Sequence, residues 1–398
     1  MSTEWLIAAQ EMRKPLVGFL SDIVAIPSLS REERDVVARI AAEMEALGYD
    51  EVRIDGMGNV LGRIGNGKTV IALDGHCDTV DVGDRSQWET DPFVPVIRDG
   101  RFYGRGASDQ KSGVASAVYA GGLLKRMDAV PADVTLYVVA SVQEEDCDGL
   151  CWQYLVNEEA LRPDVVVLTE PTNLRVHIGQ RGRMELEIST TGISCHGSAP
   201  ERGENAVYRM APIIQDIEAL NERLPPQEPF GKGSVTISQV RSESPSLCAV
   251  ADGCTIHLDR RLTKGESEST SVAELEALAS VCGAAARVSV LEYANPSYTG
   301  LVYPTRKYYP TWCLDPSAPQ VQRAQKAFRT VFDREPETGY WTFSTNGVAT
   351  AGLFDIPTLG FGPGEEAQAH APNEHIEIDQ LVQAAAFYCG FVDSFTKQ

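Results

Sequence analysis

The chain has 398 residues, 43% of them hydrophobic and 23% charged, which is the composition of a soluble globular protein rather than of a disordered chain. Because a single core rarely grows beyond roughly 250–300 residues, this length predicts two domains. Acidic residues outnumber basic ones by 56 to 35, and the net charge of −21 argues against nucleic acid or anionic lipid as a partner.

The N-terminus and the cysteines indicate the compartment. The first residues, MSTEWLIAAQEMRKP, carry charges within a dozen positions and lack the apolar core of a signal peptide. No run of 18 apolar residues occurs, so no membrane span is predicted. The nine cysteines form an odd set without a C-x-x-C pair, which favours reduced, mostly buried thiols. We therefore expect a cytoplasmic protein.

The first part of the chain alternates between helix and strand. Residues 31–50 place apolar side chains on one helical face and stop at Gly48. A second helical pattern covers 112–126. Short apolar runs indicate strands buried on both faces, at 69–74, 134–142 and 164–169. This order predicts an α/β fold.

From about residue 183 the pattern changes to strict alternation of apolar and polar residues. Half-buried strands are predicted at 184–190, 234–240, 254–262 and 287–293, with helices at 205–224 and 267–282. The order β-α-β-β-α-β is that of ferredoxin-like domains. After about 295 we expect a helix near 319–333, strand-like pieces at 348–361 and a closing helix at 377–395. We therefore predict a small α+β domain, residues 181–294, inserted into an α/β domain formed by 1–180 and 295–398.

Side chains that can bind a metal follow the predicted buried strands. In GHCDTV, His76 and Asp78 point to the same side of a strand because strand side chains repeat every two residues. One of them could bind a metal while the other orients it. A single strand-end pair of this kind is more often structural, so it gains weight only from other ligands.

A glycine-rich turn, YGRGASD, brings Asp109 to the start of the helix at 112–126. Glycine lets the backbone carry a carboxylate close to a cation. The alternative, a phosphate-binding loop, needs glycine directly before Lys111, and that position is Gln110.

Four more candidates complete the set. Glu144 and Glu145 stand side by side after a buried strand, so in an extended segment one could bind a metal while the other addresses a water molecule. Glu170 ends another buried strand, and His370 lies in a Gly/Pro-rich loop. Two imidazoles and three carboxylates suit a pair of Zn²⁺ or similar ions, from His76, Asp109, Glu145, Glu170 and His370.

These segments, taken in chain order from about residue 20 to the end, resemble the M20 metallopeptidase family, on the branch of acetylornithine deacetylase and succinyl-diaminopimelate desuccinylase. The matching stretches are GHCDTV, WETDPF, GRGASDQKSG, QEED, TEPT, GRMELEISTTGISCHGSAPERGENA and GPGEEAQAHAPNEHI. The resemblance implies a zinc-peptidase-like α/β catalytic domain with an inserted ferredoxin-like lid, through which two copies form a homodimer.

The resemblance also implies roles for single residues. One ion would be held by His76, Asp109 and Glu170, and the other by Asp109, Glu145 and His370. Glu144 would act as general base and Asp78 would orient His76. His196 would reach the partner subunit's active site and help to hold the oxyanion.

Three further residues are expected near the substrate. Arg260 resembles the family residue that binds the substrate carboxylate, although it could also be a surface charge on an edge strand. Asn205 could contact the same ligand or cap the lid helix. Asn346, in TFSTNG, stands where the family often has an acid, so substrate identity transfers least well.

The predicted protein is a dimeric two-metal amidohydrolase that cleaves the amide of an N-acyl or N-carbamoyl amino acid or a related small substrate. Zinc suits the ligands best, and cobalt or manganese would also fit. A dipeptidase or carboxypeptidase would share this metal chemistry. A catalytically silent ligand-binding homologue would have no need of Glu144 beside the ligands.

Overall fold

The computed structural model describes residues 2–396. Its α-helices are α1 Ser2–Glu11, α2 Arg13–Val24, α3 Arg34–Ala46, α4 Lys111–Arg126, α5 Leu150–Asn157, α6 Ala206–Arg223, α7 Glu268–Glu276, α8 Ala279–Gly283, α9 Pro319–Phe332 and α10 Ile378–Asp393. Its strands are β1 Glu51–Ile54, β2 Val60–Gly65, β3 Thr69–His76, β4 Val96–Arg98, β5 Arg101–Tyr103, β6 Val134–Ser141, β7 Val165–Leu168, β8 Val176–Gln180, β9 Gly182–Thr191, β10 Pro226–Gln227, β11 Gly231–Lys232, β12 Ser234–Glu243, β13 Gly253–Leu262, β14 Arg287–Val290, β15 Glu292–Tyr293, β16 Thr305–Arg306, β17 Tyr308–Tyr309, β18 Trp312–Cys313, β19 Thr338–Trp341, β20 Thr358–Gly360 and β21 His375–Glu377.

The larger unit is built on a nine-stranded sheet in the order β1-β2-β6-β3-β7-β20-β8-β18, with β19 beside β8. Its middle strands β6, β3, β7 and β20 run parallel. The predicted strands at 69–74, 134–142 and 164–169 are all present and almost fully buried. Since parallel strands end at the same edge, the residues that follow β3, β6 and β7 meet there.

The smaller unit has the sheet order β12-β13-β9-β14, with β17 beside β9. Its strands are antiparallel, and α6, α7 and α8 enclose a separate apolar core with them. This is the ferredoxin-like arrangement, and we call the unit the lid. The four main strands fall within the predicted range 181–294, whereas β17 lies beyond it and joins the same sheet.

Two predicted elements differ from the structure. The helix at 267–282 is divided into α7 and α8, which meet at residues 277–278. The strand-like pieces at 348–361 contain only the short strand β20, because Val348–Leu353 form a π-helical turn. A short buried apolar run has no periodicity that would distinguish strand from helix.

Within residues 2–396, no helix is long and apolar enough to cross a membrane.

Candidate metal centre

His76, the last residue of β3, is the buried centre of the site. Its Nε2 lies 3.0 Å from Asp109 Oδ1 and 3.8 Å from both Glu144 Oε2 and Glu170 Oε1. On the other side of the ring, Nδ1 is 2.9 Å from the main-chain oxygen of Asp78. A proton on Nδ1 would satisfy that contact and leave the Nε2 lone pair facing the carboxylates.

Asp78, which the resemblance assigns to orienting His76, contacts the ring through its main chain. Its carbonyl oxygen, not its carboxylate, makes the short contact with the His76 ring, since Oδ1 is 3.5 Å from Nδ1. The carboxylate instead accepts the backbone N–H groups of Glu144 and Glu145, at 3.2 and 3.1 Å, and the hydroxyl of Ser30. Asp78 therefore joins the end of β3 to the loop after β6.

Asp109 lies between the two histidines. Its Oδ1 faces His76, and its Oδ2 is 3.4 Å from Nε2 of His370. The same nitrogen of His370 is 2.9 Å from Glu145 Oε2. The two oxygens of Asp109 thus face different side chains: Oδ1 faces His76, and Oδ2 faces His370.

The carboxylates around His76 and His370 lie close together and are largely shielded from water. Burial raises the pKa of Glu144 and of Glu170 well above the ordinary value, and burial together with the charge of Asp109 raises that of Glu145 to about 7. Burial also opposes ionisation of Asp109, but hydrogen bonds with His370 and His76 outweigh it and keep its pKa below the usual range. Four carboxylates facing two imidazoles need additional positive charge.

The arrangement fits two divalent cations. Tetrahedral ligands about 2.0–2.1 Å from a zinc ion stand roughly 3.3 Å apart, which is close to most of the separations around Asp109. In addition, Glu144 Oε1 and Glu170 Oε2 are buried and have no hydrogen-bond partner among residues 2–396. Histidine nitrogens and carboxylate oxygens are ordinary ligands of zinc. Since its two oxygens face different histidines, Asp109 could contribute to both ions.

A cavity of about 390 Å³ opens onto these carboxylates. Two arginines from the lid line it: Arg183, paired with Asp148 at 3.2 Å, and Arg261, paired with Asp259 at 2.8 Å. The remaining wall includes residues 342–344. The lining of the cavity therefore contains two guanidinium groups, each paired with an aspartate, as well as the acidic centre.

Arg260, the predicted ligand of a substrate carboxylate, does not line the cavity. It is only 2% exposed and forms ion pairs with Glu266 and Glu274 inside the lid. Neighbouring residues of a strand point to opposite faces, so Arg261, one position later in β13, is the residue that faces the cavity. The cavity of this chain therefore gives no structural support for Arg260 as a substrate ligand.

The other two substrate candidates are also engaged elsewhere. Asn205 caps α6, where its side chain accepts the N–H groups of Val207 and Tyr208. Asn346 is 1% exposed; it donates to Asp74 and Ser141 and accepts the N–H of Gly149. Its amide is fully used inside the protein, so a direct contact with substrate has no structural support.

His196 lies on the lid surface and is exposed. Its Nδ1 bonds the backbone N–H and the hydroxyl of Ser198. It does not line the cavity of its own chain, so its predicted role depends on a second copy.

Sequence reasoning missed Glu374. This carboxylate is fully buried and accepts the backbone N–H groups of Gly106, Ser108 and Asp109 at 2.7–3.0 Å, and it pairs with Arg105 at 2.7 Å. It fixes the turn that presents Asp109. The four donors lie more than 260 positions away in the chain, so no local pattern indicates the contact.

Sequence comparison relates the chain to one protein family and to two individual proteins. The sequence model of peptidase family M20/M25/M40 matches residues 72–394. The chain is 49% identical over 380 residues to the uncharacterised protein YgeY of Escherichia coli K12. The match covers 96% of this chain and 94% of YgeY. It is 29% identical to succinyl-diaminopimelate desuccinylase of Bordetella pertussis, over 53% of this chain and 59% of that protein.

Among solved structures, the fold is similar to that of the Bacillus subtilis YXEP protein, described as a dinuclear metal-binding peptidase of the M20 family. The TM-score is 0.70 at 14% identity, and the similarity covers 96% of this chain and 98% of that one. At this identity the likeness concerns the fold alone.

Proposed function

The chain belongs to peptidase family M20/M25/M40, whose members are metal-dependent hydrolases of amide bonds, and we propose that it cleaves an N-acyl or N-carbamoyl amino acid at a two-metal centre. One ion would be held by His76, Asp109 and Glu170. The other would be held by Asp109, Glu145 and His370. The two oxygens of Asp109, which face different histidines, carry this assignment.

Glu144 is the proposed general base. Two cations bound at the centre would polarise the amide carbonyl and make a water molecule more acidic. Glu144 lies beside these ligands, has an oxygen without a partner among the described residues and is held in place by the backbone contact with Asp78. It would take a proton from the water and deliver it to the leaving amine.

The proposed substrate is a small acid. Arg261 faces the cavity from the lid and is 38% exposed, so its guanidinium could bind the carboxylate of an acylated amino acid. The similarity to a desuccinylase supports an N-acyl substrate. The likeness to a structure described as a peptidase leaves a dipeptidase or carboxypeptidase as the second candidate.

A combined measurement tests the function. Metal content per chain is determined on purified protein, and hydrolysis of N-acetyl, N-succinyl and N-carbamoyl amino acids and of dipeptides is assayed before and after chelation. We expect about two ions per chain and activity that returns with Zn²⁺, although Co²⁺ or Mn²⁺ would also suit the ligands. Tight metal binding with no turnover of any substrate would favour a silent binding protein.

We further propose that the chain acts as a homodimer joined through the lid. Large apolar side chains are exposed there: Ile193, Tyr208, Val240 and Leu247. His196 lies on the same unit and would enter the partner subunit's active site. Such exposed apolar surface commonly marks an interface. Light scattering on the protein as it elutes from a size-exclusion column measures its mass. A monomer would exclude the proposed role of His196 in a partner subunit's active site.

We also infer a cytoplasmic location. All nine cysteines lie within the described residues and none forms a disulfide, as expected for a reducing compartment. Fractionation of cells that express the protein would test this inference.

A further inference from the structure

The loop that carries Glu144 and Glu145 is held on both flanks by a single hydroxyl. Gln143 Nε2 donates to Tyr293 Oη at 2.8 Å, and Tyr293 Oη donates to Asp146 Oδ2 at 2.9 Å. Tyr293 is only 4% exposed. Its hydroxyl therefore spans the base of the loop, with one partner before the two glutamates and one after them.

The far end of the loop is held as well. Cys147 Sγ lies 3.4 Å from Tyr309 Oη, and Asp148 pairs with Arg183 Nε at 3.2 Å. The Arg183 guanidinium covers the Tyr309 ring at 4.6 Å, and these two residues are paired in the lid sheet. Four successive contacts thus join the loop to residues from another part of the fold.

These partners lie where the chain passes between the two sheets. Arg183 is the second residue of β9, directly after the chain leaves the central sheet at the end of β8. Tyr293 and Tyr309 lie on the return path, in β15 and β17, before the chain rejoins the central sheet at β18. The loop therefore touches both connections between lid and catalytic domain.

We propose that Tyr293 is a positioning residue for hydrolysis and that its hydroxyl, with Arg183 and Tyr309, couples the placement of the lid to that of Glu144. The proposal rests on the function above, in which Glu144 is the general base. A base must be held within about 0.5 Å of its productive position, and paired side chains on both flanks restrict the loop accordingly. Tyr293 touches none of the proposed metal ligands.

Amide hydrogen exchange on the full chain tests this without a substrate. Tyr293→Phe removes only the bridging hydroxyl. The matched control is Tyr303→Phe, on the same return path, whose hydroxyl accepts a bond from Asn157 away from the loop. We expect exchange across residues 143–148 to be about tenfold faster in Tyr293→Phe, since its two hydrogen bonds are lost, and unchanged in Tyr303→Phe. Wild-type exchange in Tyr293→Phe would overturn the proposal.

Kinetics give the second readout. On the amide that the substrate panel identifies, Tyr293→Phe should lower kcat by about tenfold with KM within twofold and metal content unchanged. Faster exchange with an unchanged kcat would also overturn the positioning role. If no substrate is cleaved, the proposed function fails while the exchange result still decides whether Tyr293 holds the loop. If Tyr293→Phe does not fold, Asp146→Ala, whose side chain is 37% exposed, takes its place in both measurements.

Discussion

The carboxylate of Glu374 accepts the backbone N–H of Asp109 at 2.9 Å, although 265 positions separate the two residues. Glu374→Gln should therefore weaken both the fold and metal binding, because a charged acceptor of three N–H groups and of Arg105 is lost. We expect the free energy of unfolding to fall by about 3–5 kcal/mol. Denaturation and metal titration measure the effect. Glu377→Gln, which breaks an exposed pair with Arg101, should cost less than about 1 kcal/mol, and an equal loss in both variants would contradict the assignment.

Glu144→Gln separates metal binding from proton transfer. The variant keeps the shape of the side chain but cannot accept a proton, so turnover should fall by about 10²–10⁴. Metal content should stay at the wild-type value, since Glu144 is not among the proposed ligands. Turnover close to wild type would remove Glu144 from the mechanism.

Asp109→Ala should lose both ions, whereas Glu170→Ala should lose one. The reason is that the two oxygens of Asp109 face different histidines, while Glu170 faces only His76. Metal analysis after dialysis gives the number of ions per chain. Equal metal content in the two variants would argue against a bridging carboxylate.

Substitution of two neighbouring arginines should have different effects: Arg261→Ala should change substrate binding, and Arg260→Ala should change stability. Arg261→Ala should raise KM for an acidic substrate by about ten- to hundredfold, because a charged hydrogen bond to its carboxylate is lost. Arg260→Ala should leave KM unchanged and destabilise the lid by about 3 kcal/mol, because Glu266 and Glu274 lose a buried partner. Steady-state kinetics and thermal unfolding of both proteins make the comparison. A larger KM effect from Arg260→Ala would restore the original prediction.

His177 should make stability depend on pH. Burial, aided by the charge of Arg175, lowers its pKa from 6.5 to about 4. The unfolded chain therefore binds the proton more tightly, so this contribution is complete above pH 6.5 and is lost as pH falls toward 4; it amounts to about 3 kcal/mol. His177→Phe keeps a ring against Trp341 and should flatten this part of the stability profile. An unchanged profile would exclude His177 as its source.

Much of the centre could be predicted because its residues follow recognisable buried strands. His76 ends β3 and Glu170 follows β7, so their meeting follows from the parallel sheet. The choice between Arg260 and Arg261 could not be made in the same way, since alternation defines two faces without saying which one meets the cavity.

Asn346 and Glu374 illustrate the second limit. Both are polar residues in loops, where exposed and functional side chains are usual. Their partners, Asp74 for one and the turn before α4 for the other, come from distant parts of the chain. Only the assembled fold shows that one stabilises the interior and the other fixes a candidate ligand.

The lining of the cavity described above comes from three parts of the fold. Its acidic floor comes from loops of the central sheet, whereas Arg183 and Arg261 come from the lid and residues 342–344 from a separate loop. Substitutions at Arg261 and in residues 342–344 can change the shape and charge offered to a ligand while the contacts that hold the acidic floor stay in place, whereas Arg183 is paired with Asp148 in the loop of that floor. The same hydrolytic apparatus can therefore diverge toward new substrates during evolution by changes confined to one inserted unit and one loop.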